Sequence, residues 1–154
     1  YCAQAIMKRM NVEIVCTTDD PIDSLEYHQK IRSNGCHTRV YPAWRPDKVL
    51  AIDNFKALND YLSKLEEAAD KTILTYKHLL EALQKRHDFF AAQGCRLSDH
   101  GLDTFYAEPY TEQEIEVIFL KARMGKSFGI AIRIGGDGCP EWMGTTIPYR
   151  RKSE

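Results

Sequence analysis

Two kinds of segment alternate along this chain, and the alternation leaves few folds open to it. Val12-Glu13-Ile14-Val15-Cys16-Thr17-Thr18 is short, apolar and β-branched, which predicts a buried strand. Asp20 then offers an N-cap and Pro21 a first helical residue, where proline's missing N–H costs nothing, so a helix is expected to about Asn34. Gly35 supplies a left-handed exit from it. A second strand is predicted from Thr38 to Trp44, ending at Pro46, and a third over Cys95–Ser98.

Between the second and third strands lie two helical faces. Phe55, Leu58, Leu62, Leu65 and Ala69 recur at spacings of three and four. Tyr76, Leu79, Leu80, Leu83 and Phe90 do the same after Thr75, a residue type suited to capping, and Gly94 closes that helix. Thr111-Glu112-Gln113-Glu114 spells a capping box, with Ile115, Ile118 and Phe119 as the apolar stripe of a helix to about Met124. Strand, helix, strand, two helices, strand, helix is the order of an α/β protein with parallel strands and right-handed crossovers. From Gly125 the character changes. Phe128–Ile134 is a candidate strand and Gly135-Gly136-Asp137-Gly138 a turn. A phosphate-binding reading of that turn lacks the helix such a loop requires.

At 154 residues the chain suits one domain with a sizeable core. Its 21 Lys and Arg against 22 Asp and Glu give a net charge of −1, with no basic excess for nucleic acid and no polybasic block for a membrane surface. No apolar run reaches the ~18 residues of a membrane span, and no leader pattern opens the chain. A cytoplasmic setting is the expectation. Tyr1, in place of an initiating Met, points to a piece of something longer. The five cysteines, Cys2, Cys16, Cys36, Cys95 and Cys139, are scattered and never form C-x-x-C, so buried reduced thiols are expected rather than disulfides or a zinc site.

Each predicted strand ends in a polar cluster: Thr17-Thr18-Asp19-Asp20, Trp44-Arg45-Pro46-Asp47 and Ser98-Asp99-His100. Carboxyl ends of parallel strands share one face, where functional groups collect. Asp99, His100, Arg45 and Asp19 are therefore candidates for a common site. Helix capping is the favoured account of at least one of Asp19 and Asp20, and Asp47 can cap a helix or turn after Pro46. The Arg45 guanidinium suits bidentate capture of a carboxylate, but an internal ion pair with Asp99 suits it as well. His100 could instead bond to backbone. His78 and His87 fall on helices, His28 and His37 in peripheral positions, and no metal-binding histidine spacing occurs.

The stretches NVEIVCTTDDPIDSLEYH, YPAWRPDKV and GCRLSDHGLDTFYAEPYTEQEI resemble the middle of the uronate isomerase (glucuronate isomerase) family. The T-T-D-D-P, R-P-D and S-D-H-G motifs follow the family's order, and the resemblance covers about residues 1–124. It implies part of a distorted (β/α)8 TIM barrel of the amidohydrolase superfamily, with additional helices. It also implies interconversion of D-glucuronate with D-fructuronate and of D-galacturonate with D-tagaturonate. A divalent metal, commonly zinc, is implied for the intact enzyme, held by an H-x-H motif and a terminal Asp that this chain lacks. Carried over are Arg45 of R-P-D and Asp99 of S-D-H, both expected to contact the sugar acid, with Asp99 catalytic and Arg45 and His100 substrate-binding. Residues 125–154 depart from the family's continuation, which would be a helical stretch and then a strand bearing a further histidine.

Three readings follow. The chain is an internal fragment of a uronate isomerase, inactive alone; or part of a metal-dependent hydrolase on the same kind of barrel, since fold does not fix chemistry; or a non-catalytic folding or interaction unit. Open sheet edges and bare apolar faces would favour self-association or a homo-oligomer.

Overall fold

The computed structural model describes residues 2–52, 54–101 and 109–125. The expected strand and turn after Gly125 lie outside them. The elements are α1 (Ala3–Arg9), β1 (Ile14–Cys16), α2 (Glu26–Ser33), β2 (Arg39–Tyr41), a 3-10 turn (Asp47–Leu50), α3 (Phe55–Ala69), α4 (Tyr76–Ala92) and α5 (Glu112–Arg123). Strand and helix alternate as expected, and β1 pairs with β2 in parallel, Ile14 opposite Arg39 and Cys16 opposite Tyr41.

The strands are shorter than their apolar runs. Pro42 follows β2 and has no N–H to donate. Main-chain bonds nevertheless run on past Pro42, from Thr17 N–H to the Tyr41 carbonyl and from Ala43 N–H to the Thr17 carbonyl. They lead to parallel bridges of Asp19 with Trp44 and of Trp44 with Ser98. The predicted third strand is thus one bridge, made by Trp44 N–H to the Leu97 carbonyl and Asp99 N–H to the Trp44 carbonyl. Nor is β1 buried. Ile14 is 48% exposed and Cys16 is exposed, because β1 has no neighbour but β2 among the described residues. The thiols are likewise mixed: all four described cysteines are free, but only Cys95 is buried.

The first predicted helix starts late. Asp20 and Pro21 belong to a turn, and α2 begins at Glu26 after Leu25, which adopts a left-handed conformation at φ +56°. That conformation costs a non-glycine residue about 1 kcal/mol, which burial of the Leu25 side chain in the core offsets. Tertiary partners claim the groups a helix from Pro21 would have used. Arg86 donates to the Pro21 carbonyl at 2.7 Å and the Asp23 carbonyl at 2.7 Å, while Asp20 accepts from Tyr61 Oη at 2.8 Å.

The later helices obey their caps. The Asn54 side chain accepts from Ala57 N–H, Thr75 from His78 N–H, and Thr111 and Glu114 form the predicted reciprocal box. Gly94 has φ +97°, and a Cβ there would stand 3.1 Å from the Tyr41 ring, so glycine is required on both counts. Leu58, Leu62, Leu65 and Ala69 of α3 pack with Leu79, Leu83 and Phe90 of α4 and with Phe119 and Ala122 of α5. Trp44 extends this core to the strand ends, meeting His87 and Phe90 edge to face at 5.4 and 5.1 Å. The core therefore grips the backbone from which Arg45 departs.

Candidate functional site

The three strand-end clusters converge. Main-chain pairing at Asp19, Trp44 and Ser98 aligns β1, β2 and the segment before Asp99, so residues just beyond the pairing share one end. There Arg45 Nη2 lies 3.0 Å from Asp99 Oδ2, and Thr18 Oγ1 donates to the same oxygen at 2.9 Å. Arg45 Nε stands 3.6 Å from Asp47 Oδ2, too long for a hydrogen bond, and is buried without one.

Asp47 does not cap the turn it begins. Its Oδ1 is 2.9 Å from His100 Nδ1, and its Oδ2 accepts from Gly101 N–H at 2.7 Å. One carboxylate thus fixes the His100–Gly101 segment beside the guanidinium. The expectation of a backbone partner for His100 is replaced by this side-chain contact. A Cβ on Gly101 would come within 3.6 Å of Arg45 Nη2, in ordinary contact distance.

Beside this cluster opens a cleft of about 260 Å³, lined by Thr18, Asp19, Asp20, Asp23, Arg45, Asp47 and Lys48. Lys48 pairs with Asp20 Oδ2 at 3.1 Å, while Asp20 Oδ1 also accepts from Ile22 N–H in a local turn, which corrects its helix-capping role. Asp19 is no helix cap either. Its Oδ2 accepts from Thr17 Oγ1 at 2.6 Å and Ala43 N–H at 3.2 Å.

Sequence reasoning placed Arg45, Asp99, His100 and Asp19 together, and they are together. It missed Asp47 as a holder of His100, and it misplaced His28. His28 is not peripheral: it is 7% exposed and its Nε2 sits 2.7 Å from Thr17 Oγ1. The signal lay in spacing, since on the helix now seen His28 falls one turn after Leu25, itself buried in the core. His37 is exposed and His78 and His87 lie on α4 as expected.

Magnitude separates the two uses of the Arg45–Asp99 pair. Their side chains are 39% and 38% exposed. An ion pair in such a setting contributes about 0–1 kcal/mol, so stability alone is a poor reason for it. What the arrangement offers is a half-exposed guanidinium whose Nη1 has no partner among the described residues, beside a carboxylate oxygen, Asp99 Oδ1, that is also uncommitted. Such a pair can hold an anion and a hydroxyl together. Among the described residues no group of three or more His, Cys, Asp and Glu side chains could hold a metal ion. Nor is any of their helices long and apolar enough to cross a membrane.

The chain is similar to known proteins over most of its length. The family model described as glucuronate isomerase matches residues 1–130. The chain is 54% identical over 121 residues to a uronate isomerase of Bacteroides fragilis, covering 79% of this chain and 26% of that protein. It is 51% identical over 125 residues to a uronate isomerase of Bacteroides thetaiotaomicron, covering 81% of this chain and 27% of that one. Among solved structures, the uronate isomerase of Thermotoga maritima superposes with a TM-score of 0.76 at 33% identity, covering 81% of this chain and 28% of its own. The glucuronate isomerase of Caulobacter crescentus gives 0.73 at 28% identity, covering 82% and 26%. The chain therefore spans about a quarter of the length of the relatives it matches.

Proposed function

Since the chain belongs to the glucuronate isomerase family, we propose that its strand-end cluster is part of the sugar-acid site of an aldose–ketose isomerase acting on hexuronates. The reactions are D-glucuronate to D-fructuronate and D-galacturonate to D-tagaturonate, in the cytoplasm. Residues 1–124 are one arc of a (β/α)8 barrel, and residues 125–154 are a divergent tail. The observation that carries this reading is the convergence of Arg45, Asp99 and His100 at the carboxyl ends of parallel segments, where barrel enzymes place their chemistry.

In the isomerisation one proton leaves C2 and one arrives at C1, while the O2 proton moves to O1, through an enediol. Arg45 anchors the substrate carboxylate through Nη1, which has no partner among the described residues, fixing the sugar relative to the reacting carbons. Asp99, held by Thr18 and Arg45 through Oδ2, accepts a hydrogen bond from a sugar hydroxyl at Oδ1 and exchanges its proton. His100, oriented by Asp47 through Nδ1, presents Nε2 to a second hydroxyl. The divalent metal that the resemblance implies, zinc, finds no ligand set among the described residues. Its ligands, and the base at C2, are assigned to other segments of the enzyme.

The test is a chimera in which residues 1–124 replace the matching stretch of the Bacteroides fragilis enzyme. It should turn over glucuronate or galacturonate, whereas the 154-residue chain alone should not. A chimera that folds and hydrolyses amides or lactones but ignores uronates would contradict the proposal.

A further inference from the structure

His28 has no part in the site as described, yet it is a buried titratable side chain one hydroxyl away from it. Thr17 Oγ1 carries one proton and has three partners in reach, Asp19 Oδ2 at 2.6 Å, His28 Nε2 at 2.7 Å and the Tyr41 carbonyl at 3.3 Å. Carboxylate and carbonyl oxygens only accept, so the hydroxyl donates to the nearer, Asp19, and His28 Nε2–H donates to the hydroxyl. The other ring nitrogen, Nδ1, is buried with no partner among the described residues. A proton there would orphan an N–H in the interior, so the hydrogen-bond order fixes the tautomer as well.

The recipient of this order is Asp19, which stitches β1 to the segment that carries Arg45. Its N–H donates to the Ala43 carbonyl at 3.0 Å and its carbonyl accepts from Arg45 N–H at 3.0 Å. Its carboxylate accepts from Ala43 N–H, a donor shared with the Thr17 carbonyl at 3.1 Å. Past Pro42 the main-chain bonds to the β1 segment continue, and the Asp19 carboxylate adds to them where Arg45 leaves the sheet. The groups facing His28 Nε2 are Thr17 and, at 3.8 Å, Asp19 Oδ1.

We propose that His28 is a positioning residue: through Thr17 and Asp19 it fixes the backbone that aims Arg45 into the cleft. The proposal rests on Arg45 as carboxylate anchor only for its kinetic consequence; the structural half stands alone. His28→Leu removes the donor and keeps an apolar side chain, whereas His28→Gln keeps an N–H donor at the reach of Nε2.

Two measurements test it. In the 154-residue chain, amide hydrogen exchange at Arg45 and Ala43 should quicken roughly tenfold or more in His28→Leu, return near the original rate in His28→Gln, and stay unchanged at Leu83 in α4. In the chimera, His28→Leu should raise KM for glucuronate roughly tenfold with a smaller change in kcat, and that rise should vanish when Arg45→Lys is already present. Unchanged exchange at Arg45, or acceleration shared equally with Leu83 and not relieved by Gln, would overturn the positioning role. A KM effect that persists beside Arg45→Lys would overturn its action through Arg45. If Arg45→Lys alone leaves KM unchanged, the anchor assignment fails, and the exchange result still decides the role of His28.

Discussion

Burial against Trp44 pushes the His87 imidazole below its ordinary 6.5, with Asp88 opposing. The folded chain therefore binds this proton less well than the unfolded chain does. The associated stability is present above pH about 6.5 and is lost as the pH falls from there through the lower folded value. Thermal melts between pH 7 and pH 5 should show a steeper loss for the unsubstituted chain than for His87→Gln. Parallel curves would show that His87 is not the group responsible. Arg45, Asp99 and His100 were legible in the sequence because each stands directly after a short apolar run, and the ends of parallel runs meet. Their holders were not legible. Asp47 looks like a turn cap beside Pro46, and only the fold brings His100 and Gly101 to its carboxylate. His28 looks peripheral until α2 is seen to start at Glu26 and turn that ring inward.

The helices carry most of what patterning could reveal, and α3, α4 and α5 follow their apolar spacing and their caps. The failure at Pro21 is instructive because local chemistry favoured a helix start there and distant residues prevented it. Arg86 is the main cause. Buried at 8% exposure on α4, it donates to the carbonyls of Pro21, Asp23 and Ala68 and stacks over the Phe89 ring at 4.2 Å. Desolvation lowers its pKa without removing its charge, and three main-chain oxygens take the place of a carboxylate partner. Arg86→Leu would strand those carbonyls in the interior, at a cost of about 3 kcal/mol or more. Arg86→Lys, with one compact head in place of a fork, should recover only part of that. Denaturant midpoints for both variants would check it, and a midpoint for Arg86→Lys equal to that of the unsubstituted chain would contradict the fork argument. The short strands were less legible than the helices. Three residues of ladder followed by isolated bridges leave little periodicity to read, and Pro42 stands inside the stretch Thr38–Trp44 that reads as one strand.

Taken as one body, the described residues pack α3, α4 and α5 around one core but leave β1 with an unpaired edge, Ile14 and Cys16 exposed along it. In the proposed barrel a neighbouring strand covers that edge; in the isolated chain a second copy can, which makes self-association the expected behaviour at high concentration. The site tells the same story. In the proposed reaction Arg45, Asp99 and His100 supply anchoring and proton exchange, and the remaining groups are assigned to other segments. In this proposal the Arg45–Asp99 pair serves substrate rather than stability. The most direct measurement is kcat/KM for glucuronate beside melting temperature, in the chimera and in its Arg45→Lys and Asp99→Asn variants. Arg45→Lys keeps the charge and removes the planar fork, and Asp99→Asn keeps the shape and removes the charge. The account predicts that kcat/KM falls on the order of a hundredfold or more in each, while the melting temperature moves by no more than an exposed pair allows, about 1 kcal/mol of stability. Lowered melting temperatures with turnover of the folded fraction intact would contradict it and leave the pair a structural one.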